Sequence, residues 1–206
     1  MSGGGPSSAP SAAHADPPPV AIGPAHADPP LTQPASAGAA LAGRRRCPLA
    51  ISPAGYVNPL GRAVVRPERI DQGVDYAGVG KLAAIGTARI TELASYAGWP
   101  GTFIEYRLLD GADAGCYVYY AEGVTPAPGL HVGQTVTAGQ PIATIIPVYP
   151  TGIELGWGAG TGTKAYALVA KQWTAADDQN NVATAAGKSF SSLVAALGGP
   201  RGKVER

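Results

Sequence analysis

The chain has 206 residues, a length that suits one domain with tails. Its 15 Lys and Arg against 14 Asp and Glu leave it near neutrality, which excludes the large positive field that draws a protein to nucleic acid or anionic lipid. No run reaches the roughly 18 consecutive apolar residues of a membrane span, and 29 Gly with 20 Pro point to many turns and at least one tract without a core of its own.

Residues 1–46 are Pro, Ala, Gly and Ser, almost without large apolar side chains. They cannot bury enough surface to offset the entropy of ordering, so a disordered linker is expected there. Within it Ala-His-Ala-Asp-Pro-Pro occurs twice, at Ala13–Pro18 and Ala25–Pro30. One reading is simple duplication in a linker. The other is a small-residue signal-peptidase site, which would make the protein exported or associated with the cell envelope. No charged segment followed by an apolar one precedes either copy, so no signal peptide is legible. His14 and His26 lie in this tract and are poor candidates for catalysis; Arg44–Arg46 reads as a solvated hinge.

A β-domain is expected over 47–158. Cys47 and Cys116 are the only cysteines. They are either one disulfide of an exported protein or two inert buried thiols, and too few for a zinc site. From Tyr56 onward, short β-prone runs alternate with turn signals about every 8–12 residues. The candidate strands are Ala63–Arg66, Gly73–Tyr76, Ala88–Tyr96, Thr102–Leu108, Tyr117–Glu122, Pro141–Ile146 and Ile153–Gly158. Leu109-Asp110-Gly111-Ala112 reads as the turn of a hairpin between the fourth and fifth. Residues 159–206 form a C-terminal extension with one helix at about 189–197. There Phe190, Leu193, Val194 and Leu197 share a face, Ser189 is the N-cap, and Gly198-Gly199-Pro200 is the stop. That stripe is expected to pack on the sheet. The class is all-β with one C-terminal helix.

Three segments carry the functional signal. Arg69-Ile70-Asp71-Gln72-Gly73-Val74-Asp75 falls on the pattern R-x-H-x-G-x-D. Tyr120-Ala121-Glu122 falls on Y-x-H and is followed by a hairpin ending in Gly133-Gln134-Thr135-Val136-Thr137-Ala138-Gly139-Gln140-Pro141-Ile142, which barrel-sandwich lipoyl-type domains share. Glu154-Leu155-Gly156-Trp157 falls on H-x-H-F. In this order and spacing, over about half of the chain, the sequence resembles the lysostaphin/LytM-type zinc murein endopeptidases. The resemblance implies a small antiparallel β-sandwich of lysostaphin-like peptidase type. In that family the His and Asp of the first motif and the second His of the third hold one zinc, while the other two histidines handle protons and transition-state charge.

Carried over, Asp71 and Gly156 stand at two zinc-ligand positions and Asp75 keeps the third. Glu122 and Glu154 stand at the two catalytic histidine positions. Glycine offers no donor and carboxylates are hard ligands, so zinc and the family's peptidase mechanism are not expected. His131 reads as a surface residue. The four acids leave three readings open: separate solvated groups, an acid/base pair of a glycoside hydrolase, or a site for a hard divalent cation such as Ca²⁺ or Mg²⁺. In an ideal strand Asp71 and Asp75 would lie roughly 13 Å apart, so they meet only if the chain bends at Gly73. Tyr76, Trp99 and Trp157 are either core or flat aromatic faces beside the acids, suited to a sugar. The resemblance thus implies a non-catalytic module binding peptidoglycan or another cell-wall polymer, with a cell-wall hydrolase using Glu122 and Glu154 as the alternative.

Overall fold

In the computed structural model, the described residues are 47, 52–95, 99, 101–147, 152–178 and 181–205. The linker expected over 1–46, with its repeats, lies outside them. Nine described strands form the body: β1 (Arg62–Ile70), β2 (Val74–Ala83), β3 (Ala88–Ser95), β4 (Thr102–Leu108), β5 (Tyr117–Glu122), β6 (Val124–Pro126), β7 (Thr135–Val136), β8 (Pro141–Ile145) and β9 (Ile153–Gly158). They pair antiparallel in one curled sheet of order β6-β8-β2-β9-β5-β4-β3-β7, with β1 on β2. The fold is therefore the mostly antiparallel β type expected. β4, β5 and β9 have the expected bounds. β6 and β7, of 3 and 2 residues, were not expected because they are too short to show an alternation. The β4–β5 connection is longer than a four-residue turn: Leu108 donates its N–H to the Cys116 carbonyl at 2.9 Å, with Gly111 and Gly115 at φ of 75° and 92° inside the loop.

Strand alternation decides what is buried. On one face Val74 lies opposite Leu155, Tyr76 opposite Ile153, Val118 opposite Trp157 and Ile104 opposite Tyr120. All eight belong to the main core. Its buried hydroxyls are satisfied: Tyr120 donates to the Ala83 carbonyl at 2.6 Å and shares a 2.8 Å hydrogen bond with Tyr106. Onto this face packs α3 (Ala185–Ala196), preceded by the one-turn helices α1 (Tyr166–Val169) and α2 (Ala175–Asp178). The Phe190 ring meets Trp157 edge-on at 5.3 Å. α3 starts a turn earlier than expected. Thr184 is the N-cap, accepting from Gly187 N–H at 2.9 Å, and Ser189 is buried inside the helix. No described helix is long and apolar enough to cross a membrane.

Candidate functional site

The opposite face of β2, β9 and β5 carries the acids. Because Val74 and Leu155 turn inward, Asp75 turns outward and sits directly across from Glu154. Asp71 reaches them through the corner between β1 and β2, not through a bend within one strand. Ile70 pairs with Val74, and Asp71 accepts Gly73 N–H on Oδ1 at 3.3 Å, closing the corner. Only glycine fits at its apex, since a Cβ on Gly73 would lie 2.5 Å from the Leu155 carbonyl and 2.7 Å from the Tyr119 hydroxyl. Helix α3 holds the corner from behind: Thr184 Oγ1 donates to the Asp71 carbonyl at 2.7 Å.

Carboxylate oxygens of Asp71, Asp75 and Glu154 lie within 4.8 Å of one another. Glu122 is not in this trio. It ends β5 with φ 67°, opposite Ile153, and lines an open cavity of about 540 Å³ with Asp75, Trp99, Asp178 and Lys203. Burial, then Asp71 and Asp75, pushes the Glu154 carboxyl well above its ordinary range, against a 2.6 Å hydrogen bond from Tyr119. Burial, then Asp71 and Glu122, raises Asp75 to about 8 although Arg69 pulls the other way. Glu122 rises to about 7, by burial and then by Asp71. Like charges confined together keep protons, and those protons belong to the cluster more than to any one acid.

Two residues without an assigned role in the sequence reading shape the site. Arg69 places Nη2 3.0 Å from Asp71 Oδ2 and Nε 3.0 Å from Asp75 Oδ2. Tyr119 stacks on Phe103 with centroids 5.4 Å apart and covers Glu154. A Cβ on Gly156 would lie 2.7 Å from the Tyr119 ring, so no other side chain fits there while the tyrosine stays. Only the cross-strand register, Tyr119 opposite Gly156, reveals this, and the sequence does not print it.

Of the three aromatic candidates, one lines the cavity. Trp99 is 47% exposed on its wall. Tyr76 is fully buried with its hydroxyl donating to the Pro200 carbonyl at 3.0 Å, and Trp157 is buried with Nε1 3.3 Å from Ser189 Oγ. Both are core, because they share strand parity with Val74 and Leu155. Cys47 and Cys116 are free thiols, Cys116 in the main core and Cys47 packed against that core. His131 is exposed, its Nδ1 3.1 Å from the Gly129 carbonyl.

The donor set does not fit zinc. It offers only carboxylate oxygens, and Gly156 two residues along β9 has no side chain, while the Tyr119 ring fills the space one would need. For a hard cation the oxygens are of the right kind, but Arg69 already engages Asp71 and Asp75.

No family model matches the chain, and no curated protein matches it. Solved structures similar to it include Helicobacter pylori Csd3, with TM-score 0.39 and 21% identity over 59% of this chain and 34% of that one. Lysostaphin, whose family the three motifs resemble, gives 0.40 and 16% over 55% of this chain and 52% of that one. CbpA from L. salivarius REN gives 0.34 and 18% over 67% of this chain and 91% of that one. The chain thus spans about a third of Csd3 and about half of lysostaphin.

Proposed function

We propose that the chain is a catalytically degenerate, peptidase-like module that binds or scaffolds a cell-wall polymer, peptidoglycan foremost, in the groove beside Trp99. The observation that carries the degeneracy is the Tyr119 ring packed against Gly156, which leaves no room for the third ligand of a zinc site. Polymer binding is supported by the order of the three resembling motifs. It is supported too by an exposed indole set among carboxylates and Lys203, a lining suited to sugar faces and charged peptide ends. The same reading has the chain exported to the envelope, where Cys47 and Cys116 would pair as a disulfide.

The rival reading, a hydrolase using Glu122 and Glu154, draws on the raised pKa values of both acids. Against it, Glu154 is only 8% exposed, is held by the Tyr119 hydroxyl and is not among the residues that line the groove. The test is to mix purified peptidoglycan with wild type, Glu154→Gln and Trp99→Ala, then follow sedimentation and release of soluble fragments. Wild type and Glu154→Gln should both co-sediment without release, and Trp99→Ala should sediment less. Release by wild type and not by Glu154→Gln would establish the hydrolase; failure of wild type to sediment would remove the cell-wall reading.

A further inference from the structure

Cations sit directly opposite each other on the outward side of the sheet, and one such pair is left without a counter-charge. Arg89 faces Arg107, but the next row on that face is Glu92 opposite Glu105. Arg62 faces Lys81, and the next outward row there is Val64 opposite Val79, 81% and 47% exposed. Arg66 comes after the valines, where Glu68 already holds it at 2.9 Å. The side chains of Arg62 and Lys81 are exposed and have no hydrogen-bond or ion-pair partner among the described residues. Like charges directly across a strand pair repel, so this row gains by taking an anion from outside.

The row runs on across the sheet. Lys81 lies opposite Thr144 on β8, and Thr144 opposite Thr125 on β6. Both threonines are exposed, while Leu82, Ala143 and Val124 beside them in sequence turn into the core. At the spacing of neighbouring strands, about 4.8 Å, the four side chains form a line roughly 14 Å long. We propose that the row Arg62–Lys81–Thr144–Thr125 is a docking track for an anionic cell-wall polymer, a polyol chain linked by phosphodiesters. A guanidinium and an ammonium side by side suit phosphate oxygens. Hydroxyls, which both donate and accept, suit the polyol between them. Two free cations and two valines are too few to hold a membrane, which takes a polybasic cluster or an acyl chain. The track is separate from the groove beside Trp99, lying roughly 20 Å along β2 from Asp75, and only the choice of a cell-wall polymer rests on the reading above.

The experiment measures binding of the full chain to immobilised poly(glycerol phosphate). Wild type should bind, and more weakly as salt is raised. Arg62→Gln with Lys81→Gln removes both free cations at exposed positions, so the chain should fold and its affinity should fall roughly tenfold. Arg89→Gln with Arg107→Gln removes the same charge from the balanced row and should bind like wild type. Thr144→Val keeps the shape without the hydroxyl and should bind measurably more weakly. Failure of wild type to bind, an equal loss in both double variants, or tighter binding to phosphatidylglycerol vesicles or duplex DNA would overturn the proposal. Peptidoglycan stripped of phosphodiester polymers separates the two readings. Wild type that sediments with it yet ignores poly(glycerol phosphate) would end this proposal and leave the groove standing; binding to poly(glycerol phosphate) alone would support the track and count against the groove.

Discussion

Tyr119 does two jobs with two ends of one side chain. The ring occupies the volume beside Gly156, and the hydroxyl donates to Glu154 at 2.6 Å. Tyr119→Phe keeps the first and loses the second, leaving a buried carboxyl without its donor. Chemical denaturation should show a loss of about 1–3 kcal/mol. The ring's role predicts the outcome of rebuilding the zinc site. Asp71→His with Gly156→His should fail to bind zinc because the new imidazole has no space; adding Tyr119→Ala should permit it. Zinc binding by the double variant in calorimetry would show that the ring yields. At this scale the sequence was legible in part. The motifs picked out Asp71, Asp75 and Glu154, which do converge. Trp157 and Tyr76 could have been read as core, since each alternates in step with apolar residues of its own strand. Tyr119 could not, because its role depends on a register that only the folded sheet fixes.

Helix α3 is what the site leans on. Thr184 caps it and also donates to the Asp71 carbonyl, so one hydroxyl ties the helix start to the acid corner. Thr184→Val keeps the shape and loses both hydrogen bonds; equilibrium unfolding should register about 1–2 kcal/mol. Phe190 is fully buried against Trp157, and Phe190→Ala should cost about 3–5 kcal/mol by the same measurement. The helix's apolar stripe was legible from spacing, and so was the glycine stop, with Gly198 at φ 85°. Its start was not, because Ala185–Lys188 has no large apolar side chain to extend the stripe. The corner at Asp71–Gly73 was legible only as a condition, that the chain must turn at Gly73.

Seen whole, the molecule buries acids outside the cluster too. Glu105, 1% exposed, accepts Gly160 N–H on both oxygens, and burial raises it to about 7; burial raises Asp113 to about 6. In the unfolded chain such groups titrate near 4. The folded state therefore holds extra protons between about 4 and 7, and the stability linked to them is present at low pH and lost as pH rises through the folded values. Thermal melting from pH 5 to 8 should show a falling Tm, and Glu105→Gln should flatten the slope; an unchanged slope would contradict the linkage. Removing residues 1–46 should leave the transition nearly where it is, because their composition offers little to bury. The proposed degeneracy means that this site is closed to zinc. Its most direct test is the metal content of the purified wild-type chain, read together with its melting temperature before and after chelator. Zinc well below one per chain, with an unmoved melting temperature, is the predicted result; one tightly held zinc whose removal lowers the melting temperature would contradict it.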